Sequence, residues 1–111
     1  MDNIKNDRYY IDKIITDLQF IVNHTKGVDK QNFEENELLQ DSVMFRLVQI
    51  AENSSKISES FKARHMAVAW MQVRGLRNRI VHDYGKIDLT VIFDTIKNDI
   101  PTLLEYLIEK A

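Results

Sequence analysis

Met66-Ala67-Val68-Ala69-Trp70-Met71-Gln72-Val73-Arg74-Gly75-Leu76-Arg77-Asn78-Arg79-Ile80-Val81-His82 reads as one amphipathic helix. On a wheel turning ~100° per residue, with Val73 at zero, Met66, Ala69, Trp70, Leu76 and Ile80 fall within roughly 60° of it. That stripe is a core or interface face. Gly85, three residues past the stretch, suits the left-handed position that ends a helix.

The same periodicity extends outward in both directions. Ile11, Ile14, Ile15, Leu18, Ile21 and Val22 predict a first helix over about 7–23. Gly27 breaks it, and residues 25–36 read as a polar loop with Phe33 as a candidate anchor. Leu38, Leu39, Val43, Phe45, Leu47, Val48, Ile50, Ala51 and Ile57 predict a second helix over about 37–60, with a weakly helical end from Ser54 to Ser60. Downstream of the quoted stretch, Asp88 is a candidate N-cap for a fourth helix carrying Val91, Ile92, Phe93 and Ile96. Pro101 fits the first turn of a fifth helix with Leu103, Leu104, Leu107 and Ile108, or a kink in a continuous fourth.

Only three glycines and one proline punctuate 111 residues. A sheet protein of this length needs more tight turns than that. The expected fold is all-α, an antiparallel up-and-down bundle of four to five helices forming a single domain over 1–111. The absence of cysteine excludes disulfides, a thiolate nucleophile and a thiolate metal site. No signal-peptide core follows Met1, and no apolar run approaches the ~18 residues of a membrane span, so a cytoplasmic location without membrane contact is expected.

The formal net charge is −2, but it is unevenly spread. Lys62, Arg64, Arg74, Arg77, Arg79 and Lys86 are opposed only by Asp83, giving that segment about +5 and the remainder about −7. A basic stripe on an acidic body suits a local polyanion site, although a solvated helix face has the same composition.

Within that stripe, Arg77 sits at about 40° on the wheel, inside the apolar face, whereas Arg74 lies near 100° and Arg79 near 240°. An arginine on an apolar face must find an acceptor, snorkel or line a cleft. Arginine is a permanent phosphate clamp, and histidine passes protons near neutral pH. Bland readings compete: Arg77 paired with a structural carboxylate, and His82 complementing the helix dipole. Five residues rise ~7.5 Å and rotate about 140°, so Arg77 and His82 diverge within one chain unless the helix end turns inward. Two such helices across a two-fold axis would gather two arginines and two histidines in one groove, with Met66, Trp70 and Val73 as the repeated apolar patch. A homodimer is the economical way to build the site.

Arg77-Asn78 followed by His82 and Tyr84 resembles the Arg-Asn-x-x-x-His-x-Tyr signature of HEPN-domain ribonucleases, most closely the HepT-like toxins of prokaryotic toxin–antitoxin pairs. Ala69-Trp70, Leu76-Arg77-Asn78, Val81-His82-Asp83-Tyr84-Gly85 and Lys97-Asn98-Asp99-Ile100-Pro101 extend the likeness over nearly the whole chain. Gln49-Ile50-Ala51-Glu52-Asn53 resembles the second-helix motif, with Ala51 and Asn53 where Gly and Ala are usual, and Ala69 replaces a frequent proline.

The resemblance implies RNA cleavage without metal or cofactor at a homodimer interface. Arg77 and His82 would be the catalytic pair, with Asn78 shaping the pocket; Arg74, Arg79 and Lys86 are candidate RNA contacts. Tyr84 matches the acceptor of adenylylation by a partner minimal nucleotidyltransferase, an ATP-dependent antitoxin.

Two other readings remain at this point: a non-catalytic module that binds a nucleotide or assists a nucleotidyltransferase, and a purely structural helical dimer. His24 and His65 fit no metal spacing and are expected at the surface. The acidic run at Glu34, Glu35 and Glu37 is expected to be a solvated helix start. No phosphate-cradling glycine loop or serine nucleophile motif is present.

Overall fold

The computed structural model describes residues 6–111, and among them every regular element is helical. Four long helices form the body: α1 (Asp7–Thr25), α3 (Glu37–Ser54), α5 (Trp70–Asp83) and α7 (Ile100–Lys110). Three short helices of six residues each link them: α2 (Lys30–Glu35), α4 (Glu59–Arg64) and α6 (Leu89–Asp94). None of these helices is long and apolar enough to cross a membrane.

Hydrogen bonds between the long helices reveal an antiparallel bundle. Asp7 at the start of α1 meets Ser58 beyond the end of α3, and Asp17 meets Arg46 further along. Arg8 at the start of α1 donates to the Ala111 carbonyl beyond the end of α7 (2.7 Å), while Lys97 donates to the Thr25 carbonyl at the other end (2.8 Å). Helix α3 lies between α1 and α5, with α7 on the far side of α1. The periodic stripes meet in one core of Ile11, Ile14, Leu18, Ile21, Val43, Leu47, Ile50, Ile80, Ile92, Ile96 and Leu107. No side-chain polar atom buried among the described residues lacks a partner.

The helix starts follow local chemistry. Side-chain oxygens of Asn6, Asp29, Asn36, Ser58 and Asp88 each accept a backbone N–H in the turn that follows, satisfying donors that the helix itself leaves unpaired. Asp88 therefore caps as its position in the sequence suggests. Gly85 takes the left-handed conformation (φ 91°) that stops α5.

Several boundaries differ from the sequence expectation. The loop expected over 25–36 contains α2, because Asp29 caps it and Phe33 is fully buried beside Phe93, ring centres 5.9 Å apart. The expected helix over 37–60 stops at Ser54, and buried Ile57 turns the chain into α4. Helix α5 begins at Trp70 rather than near Met66. Residues 65–69 form a turn instead, pinned by the Trp70 indole N–H to the His65 carbonyl (3.1 Å) and by His65 Nδ1 to the Tyr106 hydroxyl (2.8 Å). His65 is therefore half-buried and also packs on Phe61, contrary to the surface position expected of it, whereas His24 is exposed. Glu34 and Glu35 close α2 and only Glu37 opens a helix, so the acidic run straddles two elements.

Both expectations for Pro101 are met: it lies in the first turn of α7, and α7 continues from the preceding helix without a break. Helix α6 runs into α7 through a widened turn, Thr95–Asp99, in which the Ile100 N–H reaches back to the Thr95 carbonyl. Pro101 has no N–H to donate, and the wider turn accommodates the missing bond.

One contact predicts an acid-sensitive fold. Asp7 accepts from both the Ser58 N–H (2.8 Å) and the Ser58 hydroxyl (2.7 Å), which holds its carboxyl below the ordinary value of 3.8. A depressed folded-state pKa contributes stability above the unfolded value and loses it as pH falls through the folded one. Thermal melts between about pH 6 and pH 2.5 should show Asp7→Asn less stable near neutrality, by about 1 kcal/mol. The difference from wild type should shrink as the pH falls toward the acid end.

Candidate active site

Helix α5 carries every residue of the Arg-Asn-x-x-x-His run, and α3 supplies what they lean on. Arg77 Nε donates to Glu52 Oε1 at 2.8 Å, and Nη1 donates to Asn78 Oδ1 at 3.2 Å. These bonds fix the plane of the guanidinium and leave Nη2 without a hydrogen-bond partner among the described residues. The Arg77 side chain retains 34% of its exposure and Glu52 46%, so the pair is a solvent-bathed clamp rather than a buried bridge. The bland reading of Arg77, pairing with a carboxylate, is thus realised without closing the site.

Helical geometry continues through Asp83, so the chain does not turn His82 back toward Arg77. The His82 side chain is exposed and makes no hydrogen bond, ion pair or ring contact among the described residues. Within one chain the guanidinium and the imidazole face different directions.

Tyr84 follows α5 as its C-cap, and its hydroxyl donates to Asp41 Oδ1 on α3. That hydrogen bond, then partial desolvation, then the charges of Asp41 and Glu37 raise the phenol pKa above its ordinary 10.0. Glu52–Arg77 and Asp41–Tyr84 are therefore two polar ties between the antiparallel pair α3 and α5. On α3 the positions Asp41, Phe45, Val48 and Glu52 are spaced by four, three and four residues. On α5, Arg77, Val81 and Tyr84 are spaced by four and three. Such spacings place each set on one helix face. Between the ties lies an open, mostly apolar groove of ≈ 390 Å³, lined by Phe45, Val48 and Val81 among others. Phe45 is 60% exposed and Val81 48%.

The apolar stripe read from the sequence as core or interface serves the core. Val73, Leu76 and Trp70 pack against the core, and Met66 is 81% exposed in the turn before α5. The unsatisfied apolar surface beside Arg77 belongs instead to Phe45, Val48 and Val81. Arg74 is exposed one turn before Arg77; Arg79 is exposed further along α5 and Lys86 in the turn after it, and no contact joins either to Arg77. A second cleft of ≈ 460 Å³ between α1 and α3 lies away from this edge, and its arginine, Arg46, is engaged by Asp17 (2.8 Å) and stacked 3.9 Å over Phe20.

Glu52 and Asp41 are the site residues that sequence reasoning passed over. The signal was present: Arg77 on an apolar face required an acceptor. The wheel of α3 puts Asp41 and Glu52, eleven residues apart, on a common face.

Fold and site together define an all-α domain presenting an arginine clamp and an unengaged histidine along one helix edge. Residues 4–109 match the family described as Ribonuclease HepT-like, and the chain belongs to that family. A "Putative RNase" of Caldanaerobacter subterraneus subsp. tengcongensis is 26% identical over 90% of this chain and 89% of its own length. "Probable ribonuclease HepT" of Thermococcus cleftensis is 27% identical over 89% of this chain and 90% of its own. A "Putative RNase" of Methanocaldococcus jannaschii is 30% identical over 75% of this chain and 76% of its own. No solved structure matches the chain.

Proposed function

We propose that the chain is a single-domain, metal-independent endoribonuclease toxin that acts as a homodimer. The observation that carries this reading is the pinned, half-exposed Arg77 guanidinium with Nη2 unfilled, five residues before an exposed His82 that nothing engages among the described residues. The groove of Phe45, Val48 and Val81 is the surface a second copy would cover, since a two-fold contact repeats one apolar patch on both subunits.

In the dimer, His82 takes the proton from the RNA 2′-hydroxyl, whose oxygen attacks the adjacent phosphorus. The P–O5′ bond breaks, and the partner subunit's His82 protonates the departing 5′-oxygen. The products are a 2′,3′-cyclic phosphate and a 5′-hydroxyl end. Arg77 stabilises charge on the non-bridging oxygens, held in aim by Glu52 and Asn78. Arg74, Arg79 and Lys86 supply positive charge for the strand. DNA has no 2′-hydroxyl and is not cut. Incubating purified protein with single-stranded RNA in chelator and mapping the termini tests the reading. Intact RNA combined with tight binding of ATP or AMP by calorimetry would replace it with that of a nucleotide-binding module.

Glu52→Gln separates aiming from folding. The pair is too exposed for its loss to cost more than about 1 kcal/mol of stability. Cleavage should nevertheless fall on the order of tenfold in kcat/KM, because the guanidinium loses its fixed plane. A melting curve and steady-state kinetics on the same sample check both halves.

Neutralisation is assigned to Tyr84. A nucleotidyltransferase antitoxin would move AMP from ATP to the phenol oxygen with release of pyrophosphate, and Asp41 stands ready to accept the phenol proton. The added AMP would place bulk and negative charge at the end of α5, two residues beyond His82, excluding RNA by sterics and repulsion. Co-expression with the transferase should add one AMP mass or more to the intact protein, and Tyr84→Phe should abolish that addition.

A further inference from the structure

We propose that the groove between the C-terminal end of α3, α4 and the first turns of α5 is a subsite for a nucleotide flanking the scissile linkage of single-stranded RNA; the proposal rests on the ribonuclease reading above. The groove has a volume of ≈ 360 Å³ and is lined by Ser55, Glu59, Lys62, Trp70, Met71 and Arg74. It combines a fixed aromatic ring with two cations, the combination with which proteins hold an unpaired strand.

Trp70 is held rigidly. Its indole N–H donates to the His65 carbonyl (3.1 Å), and Phe61 presents an edge to it at 6.3 Å. The ring therefore packs against the core with part of its surface and leaves the rest exposed in the groove. The Lys62 ammonium lies 5.8 Å from the ring centre, and the Met71 side chain beside it is 87% exposed. Arg74 is exposed with no hydrogen bond or ion pair among the described residues. Lys62 and Arg74 supply two phosphate ligands, while Trp70 and Met71 offer an apolar seat for a base. Glu59 is the groove's acidic wall, and a carboxylate there accepts from an exocyclic base amine.

The groove is continuous with the Arg77 site. Trp70, Arg74 and Arg77 are spaced by four and three residues along one face of α5, and Arg74 precedes Arg77 by a rise of only ~4.5 Å. On the α3 side, the Ser55 hydroxyl donates to the carbonyl of Glu52, the residue that aims Arg77 (2.7 Å). A strand with its scissile phosphate at Arg77 runs its next phosphate past Arg74 and Lys62. Bases reach Trp70 only when unstacked, so the ligand is a single strand and not a duplex.

Binding is read in the cleavage-silent His82→Ala protein, with a labelled single-stranded RNA of about twelve nucleotides titrated over a range of salt. Lys62→Gln combined with Arg74→Gln should weaken binding on the order of tenfold at low salt and flatten the salt slope by about 1.4, roughly 0.7 for each phosphate no longer neutralised. Lys30→Gln on α2, which packs beside the opposite end of α3, makes the same kind of charge change and should alter neither. In the His82-containing protein, the double variant should raise KM for the long RNA by a clearly larger factor than KM for a dinucleotide substrate.

Wild-type affinity and KM in the double variant would overturn the subsite, as would equal losses on the dinucleotide. If the unmodified protein binds RNA through Lys62 and Arg74 but never cuts it, the groove stands and the ribonuclease reading fails. If it binds no RNA, the groove falls as well.

Discussion

His82→Ala is expected to lower RNA cleavage by about 10²- to 10⁴-fold, the range a single proton-transfer group contributes. The protein should remain folded, because the His82 side chain is exposed and touches no partner among the described residues of its own chain. Its removal should change stability by no more than about 0.5 kcal/mol. A dimeric site sharpens the prediction. One subunit's imidazole would serve as base and the other's as acid, so a mixed dimer of wild-type and His82→Ala subunits lacks one of the two roles and should be nearly as inactive as the variant. Arg77→Ala should cost as much in rate while also leaving Glu52 unpaired. Size-exclusion chromatography alongside kinetics distinguishes lost chemistry from lost assembly. Full cleavage by both single variants would sink the catalytic assignment.

Phe33→Ala should destabilise the fold more than any of the other substitutions above. Phe33 is completely buried, packs against Phe93, and belongs to a helix of only six residues. So short a helix has little stability of its own, and its side-chain anchor holds it in place. Truncating a buried phenylalanine costs about 3–5 kcal/mol. For a domain of this size that corresponds to a fall in melting temperature of roughly 10–20 °C. The Gln40 amide, which donates to the carbonyls of Phe33 (2.9 Å) and Glu34 (3.0 Å), would lose its ordered acceptors. Hydrogen exchange should therefore speed up first across α2 and the start of α3. Phe33→Leu keeps most of the apolar volume and should recover most of the loss.

The helices of the body were legible because their stripes recur at helical spacing over about three turns or more. Ile11, Ile14, Leu18 and Ile21 all face the core of α1, and the caps at Asp88 and Gly85 are written in side-chain chemistry one residue wide. The short elements were not legible. Six residues of α2 cannot display a period, and Phe33 there is one apolar residue in a polar stretch. The start of α5 was misplaced because Met66 and Ala69 continue the stripe on paper. In three dimensions the His65 bonds to Tyr106 and Trp70 draw the chain into a turn first. Tyr106 lies 41 residues from His65, a separation that no local window spans.

The candidate site divides in the same way. Arg77, Asn78, His82 and Tyr84 share one helix and its cap, so their order along the chain named them. Their partners Glu52 and Asp41 come from α3, 25 and 43 residues earlier, and entered only when the two helices packed antiparallel.

Apolar side chains at helical spacing were enough by themselves to indicate an all-α bundle, and the resemblance of Arg77, Asn78, His82 and Tyr84 to a family signature marked one helix as the bearer of the candidate site. Only the packed structure decided which carboxylate holds Arg77, which one engages Tyr84, and which apolar side chains remain uncovered beside them. Helix periodicity is a local property of backbone geometry, readable residue by residue. The pairing of one helix face with another depends on how the whole core closes, and that free energy is shared among residues far apart in the chain.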